Sequence, residues 1–133
     1  QGVKTCPSYG GILLYGTNRL NLFPNAVIRC VRFLGDTKAA PVLDAVDIES
    51  YLPHAVDEIL HFVTKSTFTR SQIGRIYRED IPKFPPIAVR EAVINALIHA
   101  DYSRLGESVM VAIFDNRIEI RNPGGIPAGM TLD

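Results

Sequence analysis

The segment Arg90-Glu91-Ala92-Val93-Ile94-Asn95-Ala96-Leu97-Ile98-His99 sets a carboxylate, a carboxamide and an imidazole four residues apart within an otherwise apolar run. At about 100° of rotation per residue, the three polar side chains fall within roughly 80° of arc, while Val89, Val93, Ala96 and Leu97 turn away. A neutral amide oxygen suits a hydrated divalent cation, and a carboxylate one helical turn earlier can orient or deprotonate a water. The apolar residues on nearly all sides imply a mostly buried helix, in which an unpaired amide or carboxylate costs about 1 to 3 kcal/mol. A ligand, a hydrated metal or a buried hydrogen-bond network would each meet that demand. For a Glu/Asn pair at this spacing in isolation, a solvated helix face is the plainer reading.

A second candidate lies downstream, at Asn122-Pro123-Gly124-Gly125. Glycines allow a backbone to approach a ligand closely and Asn can accept a hydrogen bond, but the same string also reads as a Pro-Gly turn leaving a strand. Elsewhere, His54, Asp57, Glu58 and His61 share one helical side without the His-Glu-x-x-His spacing of a zinc site, so they read as a solvated face. Lys65, Arg70, Arg75 and Arg78 with Tyr77 are followed at once by Glu79 and Asp80, which favours a solvated loop over a nucleic-acid contact. No Gly-x-x-x-x-Gly-Lys-Ser/Thr is present, so a phosphate loop of helicase type is absent from the chain.

The elements that must position these residues follow from periodicity. Residues 11–16, an apolar run bounded by glycines, and 26–34, rich in β-branched and aromatic residues, read as strands joined antiparallel through Asn21-Leu22-Phe23-Pro24-Asn25. A third, weaker strand is expected at 42–46. Leu52, Val56, Ile59, Leu60 and Val63 recur at helical spacing and mark a helix over 50–67, with Pro53 in its first turn. Residues 66–84 read as a connecting loop. Pro85-Pro86 presets the opening turn of a helix over 87–100, the one carrying the polar stripe. Val109, Val111 and Ile113, then Asp115-Asn116, then Ile118 and Ile120, alternate with period two around a two-residue turn and form the clearest hairpin. The order predicts an α+β fold, a mostly antiparallel sheet with helices packed on one face.

Fourteen basic side chains balance fourteen acidic ones among 133 residues, so no overall field draws the chain to nucleic acid or an anionic membrane. No apolar run approaches about 18 residues and no leader pattern is present, which predicts no membrane partner. Cys6 and Cys30 are read as free thiols in a reduced, cytoplasmic setting. The start at Gln1 and the stop after a glycine- and proline-rich segment suggest an excised piece of a longer chain. Residues 1–49 are expected to be a strand-rich segment linking from an upstream domain, and 50–133 the first part of a second domain.

Glu91-x-x-x-Asn95 with His99 resembles the first nucleotide box of the GHKL ATPases, a superfamily that includes gyrase B, the mismatch-repair ATPases, the heat-shock chaperone ATPase and the histidine kinases. The longer string from Pro86 to Tyr102, with Ile113 to Pro127, resembles the C-terminal ATPase-like domain of bacterial RecG-related transcriptional regulators, often labelled helicase-like. Residues 10–35 resemble the segment preceding that domain. The resemblance implies ATP and Mg²⁺ as cofactors, with Asn95 holding Mg²⁺ at the phosphates and Glu91 acting as the base toward water. His99 would contact phosphate or a Mg²⁺-bound water, or be structural, and Asp101 and Tyr102 are expected to be structural. Asn122, Gly124 and Gly125 would meet the adenine. The superfamily places an Asp ahead of those glycines where this chain has Asn122, and Ala100 stands where many relatives carry Arg. The expected partners are a nucleotide, a second copy of the chain, and DNA only through other domains. The rival expectation is a scaffold or dimerisation module in which Glu91, Asn95 and His99 form a hydrogen-bonded core network without nucleotide.

Overall fold

The computed structural model describes residues 6–67 and 82–125. Ser8 opens the first element: its hydroxyl accepts a hydrogen bond from the Gly11 amide at 3.1 Å, an N-cap that favours a helix over an extended chain. Helix α1 therefore spans Tyr9–Tyr15, so the strand expected at 11–16 does not form, and the strand expected at 26–34 forms but pairs antiparallel with Val42–Ile48 instead. Periodicity alone does not separate strand from helix in so short an apolar run, and here the cap decides. Gly16 ends α1 because the backbone closes tightly there: a Cβ on it would lie 2.5 Å from the Ile12 carbonyl oxygen. Helix α2 (Arg19–Leu22) and a 3-10 turn at Pro24–Ala26 then lead into the sheet.

β1 (Ile28–Phe33) runs antiparallel to β2 (Val42–Ile48), and β3 (Val109–Ile113) antiparallel to β4 (Ile118–Arg121). A parallel pairing of β1 with β3, Ile28 opposite Val109 and Arg32 opposite Ile113, joins the two hairpins. The product is one four-stranded sheet ordered β2-β1-β3-β4, α+β and mostly antiparallel. Two of its strands come from each side of residue 50. In the β3–β4 turn the Phe114 amide donates to the Arg117 carbonyl at 2.9 Å, leaving Asp115 and Asn116 as the two turn residues.

Alternation along the strands directs Ile28, Cys30, Val109, Val111 and Ile113 to one face, where all are buried. Helices α3 (Leu52–Thr67) and α4 (Pro86–Ile98) complete the core. α3 contributes Leu52, Ala55, Val56, Ile59, Phe62 and Val63, and α4 contributes Val89, Val93, Ala96 and Leu97. Each large aliphatic side chain so buried contributes about 1.5 to 3 kcal/mol of transfer free energy. Burial also pushes the Cys30 thiol up to about 12, whereas Cys6 is exposed, and both are free. On the opposite face, Phe114 is buried by the stacked ring of Phe33, centroids 5.1 Å apart, and by the Arg117 guanidinium 4.1 Å from its ring. Among the described residues no helix is long and apolar enough to cross a membrane.

Two arginines fasten the ends of the sheet. Arg19, 1% exposed, donates to the Ala26 carbonyl at 2.7 Å and to the Ser50 carbonyl at 2.5 Å, so it ties the N-terminal helices to the start of α3. Burial lowers its pKa from the ordinary arginine value. Arg32 reaches the Ser66 carbonyl at 3.3 Å and the Asp115 carboxylate, joining the end of β1 to α3 and to the β3–β4 turn. The Arg32 hydrogen bond holds the Asp115 carboxyl below the usual aspartate value of 3.8.

Replacing Arg19 with Met leaves two carbonyls without donors and should lower the unfolding free energy by about 2 to 4 kcal/mol. Urea denaturation measures this; a change within about 0.5 kcal/mol would place the clamp elsewhere. Because the folded-state pKa of Asp115 is depressed, its contribution is full above the ordinary value of 3.8 and is lost as pH falls through the folded value. Melting temperature should therefore fall on acidification below about pH 4, and less steeply in Arg32→Gln. Identical pH slopes in the two proteins would contradict the assignment.

Candidate functional site

Pro85 is extended and Pro86 occupies the first turn of α4, so the helix begins where its first amides need no intrahelical partner. The polar stripe lies opposite the buried face. Glu91, Asn95 and His99 are all exposed, together with Ala92 and Ile98. This corrects the expectation of a mostly buried helix: Ile87 is 79% and Ile98 69% exposed. Apolar composition hid an outward face that holds apolar and polar residues alike. Among the described residues, none of the three polar side chains makes a hydrogen bond, so they do not form the buried network of the scaffold reading. Arg90, beside Glu91, instead pairs with Asp57 of α3 at 3.3 Å.

The C-terminus of α4 is where the stripe meets the second motif. His99 is the cap residue, and its amide donates to the Asn95 carbonyl at 3.0 Å. Its carbonyl in turn accepts from the Asn122 side-chain nitrogen at 3.1 Å. A carbonyl can only accept, so the Asn122 nitrogen must face it, and the Asn122 Oδ1 is left as an acceptor. The Asp101 amide donates to the Pro123 carbonyl at 2.9 Å, a second stitch across the same junction. Tyr102 gives its hydroxyl hydrogen to the Leu97 carbonyl at 2.7 Å. Carbonyls in the last helical turn lack intrahelical partners, and these side chains supply them. Burial raises the Tyr102 phenol to about 12, which keeps it a donor.

Gly124 has φ of +122°, a backbone shape that L side chains rarely adopt. Space is not the reason for glycine there, since a Cβ would sit 3.5 Å from the His99 carbonyl oxygen and 3.6 Å from the Asp101 amide nitrogen. Gly125 is exposed beside it. The Asp101 carboxylate is turned to its own loop, accepting from the Ser103 hydroxyl at 2.6 Å and amide at 3.1 Å, and these bonds hold its pKa below the usual carboxylate range. Both Asp101 and Tyr102 thus have structural partners. The clamp roles of Tyr102 and Asn122 carry no sequence signal, because each acts on a backbone carbonyl whose position depends on the fold.

The other sequence candidates lie apart. His54, Asp57 and His61 are exposed on the outer side of α3, as expected of a solvated face, and Glu58 is half-buried. Among the described residues no group of three or more His, Cys, Asp or Glu is placed to hold a metal. Lys65 is held by Asp44 at 3.0 Å, and Arg70, Arg75, Tyr77 and Arg78 lie outside the described residues.

A family model described as "Putative ATP-dependent DNA helicase recG C-terminal" matches residues 106–133, from the loop before β3 through the glycine turn. That segment is similar to an ATPase-like family, and α4 lies outside the match. No curated protein matches the chain. Among solved structures, the crystal structure of the DIP2311 protein from Corynebacterium diphtheriae is similar over 91% of this chain, with a TM-score of 0.65 and 26% identity. The chain spans 19% of that protein's length.

Asn122→Ala removes the donor to His99 and should cost about 1 to 2 kcal/mol, and Gly124→Ala about 1 to 3 kcal/mol through backbone strain. Chemical denaturation of both variants, with NMR shifts at His99, gives the check. An Asn122→Ala protein with unchanged stability and an unchanged His99 amide shift would show that the stitch is idle.

Proposed function

We propose that the chain is a nucleotide-binding, ATPase-like unit of a RecG-related bacterial regulator, with Mg-ATP bound along the exposed stripe of α4 and the Asn122-Pro123-Gly124-Gly125 turn. The observation that carries this reading is the hydrogen-bonded run from the Asn95 carbonyl through the His99 amide and carbonyl to the Asn122 side chain. It joins the end of the helix that carries Glu91 and Asn95 to the Asn122–Gly125 turn, the two segments this reading assigns to the nucleotide. The ATPase-like family match over residues 106–133 supports the second half independently.

The residues present fit the ligand. Asn95 offers a neutral oxygen from an exposed amide, which suits Mg²⁺ among its waters. Asn95 would hold that ion, which when bound would supply charge neutralisation at the phosphates. Glu91, one turn earlier on the same exposed face, accepts a proton from water. Asn122, its nitrogen held by His99, presents Oδ1 to the exocyclic amine of adenine in place of a carboxylate. A neutral acceptor binds that amine more weakly than a carboxylate does, so affinity should be modest. Gly124 and Gly125 let the base approach the backbone. DNA contacts are assigned to other domains, consistent with the zero net charge of this chain.

Calorimetry should detect Mg-ATP binding that falls at least about tenfold in Asn95→Ala, a loss of about 1.4 kcal/mol. Glu91→Gln should keep binding and lose hydrolysis. Absence of binding by the wild-type chain, or equal binding by Asn95→Ala, would overturn the proposal.

A further inference from the structure

Among the described residues β2 is the outer strand of the sheet, paired on one side, with β1. Open strand edges are normally guarded by shortness, lysine, proline or a covering element. Val42–Ile48 has seven residues, with no lysine or proline among them, and Val42, Leu43 and Val46 are 54, 56 and 40% exposed. An irregularity in register occurs only at its start, between Arg32 and Phe33 of the neighbouring strand. A groove of about 610 Å³ runs between this edge and the outer flank of α3. Val46 gives it apolar surface, and the largely buried Ile48 and Phe62 border it.

The charge of the groove selects its occupant. Asp44, Asp47, Glu49, Asp57 and Glu58 line it against one cation, Lys65. Lys65 is already engaged by Asp44 at 3.0 Å, and the flanking Arg29 by Asp47 at 2.9 Å. Arg90 sits on Asp57 at 3.3 Å. Among the described residues Glu49 and Glu58 remain without a lysine or arginine partner; Glu58 accepts a hydrogen bond from the Ser50 hydroxyl and lies 3.8 Å from the His54 imidazole. Joining two such edges would set two acidic rows against each other, which disfavours a second copy of the chain. We propose that the open edge of β2 receives an extended peptide of alternating apolar and lysine or arginine residues, which adds a strand to the sheet. Backbone hydrogen bonds to β2 supply affinity, apolar side chains enter the groove, and cationic ones meet Glu49 and Glu58.

The test uses the whole 133-residue chain and an end-capped peptide of about eight alternating Val and Lys residues, a usual strand length. Backbone NMR should show slowed hydrogen exchange within Val42–Ile48 on titration, and salt should weaken the effect. Leu43→Lys and Glu49→Lys, both at exposed positions, should each weaken binding by about tenfold while leaving the fold intact. Three results would overturn the proposal: no change in β2 exchange at millimolar peptide, equal binding of a Val/Glu peptide, or protection of β2 that grows with protein concentration alone. The last would identify a second copy as the partner.

Discussion

The parallel pairing of β1 with β3 is the constraint on which the rest of the structure depends. Its partners, Ile28 with Val109 through Arg32 with Ile113, are separated by most of the chain. Closing so large a loop costs conformational entropy before any contact compensates. The core returns it, because Ile28, Cys30, Val109, Val111 and Ile113 are buried in a single cluster with α3 and α4. A register slip by one residue would send every one of these side chains to the opposite face. Arg19 and Arg32 reinforce the arrangement at its ends by hydrogen bonds that cross between elements rather than run along them.

The candidate site inherits its geometry from that pairing. β3 leads into β4, and β4 ends at Arg121, one residue before the asparagine that holds the His99 carbonyl. The end of α4 is therefore held by residues that the sheet positions, not by the helix alone. Tyr102, Asn122 and the Asp101 amide each act at this junction. The exposed stripe can then face a ligand while the opposite side of the same helix is anchored through Val89, Val93, Ala96 and Leu97. A rigid helix with one fastened end is the kind of support that a phosphate-bound cation requires of its ligands.

Much of this could be read along the chain. The heptad-like spacing of Leu52, Val56, Ile59 and Val63 and the alternation around Asp115-Asn116 each depend on a local period, and helix α3 and the β3–β4 hairpin match them. The polar stripe was visible for the same reason. Residues 11–16 failed as a strand because an apolar run without periodicity leaves the choice to a cap, and Ser8 supplies one. α4 is shallower than its composition implies for a related reason: Ile87 and Ile98 raise its apolar content without being buried. Arg19 gave no signal at all, since an arginine whose donors meet two distant carbonyls looks in sequence like any surface cation.

The sequence by itself determined the elements with a clear period, the α+β class, and the face of α4 on which Glu91, Asn95 and His99 fall, because these depend on rotation per residue and side-chain alternation. Only the tertiary structure decided that this face opens to solvent, that the Asn122 side-chain nitrogen holds the His99 carbonyl, and that β2, among the described residues, is an outer strand beside an acidic groove. Those outcomes depend on which residues meet across long separations, and local sequence carries no information about such meetings until the sheet has closed.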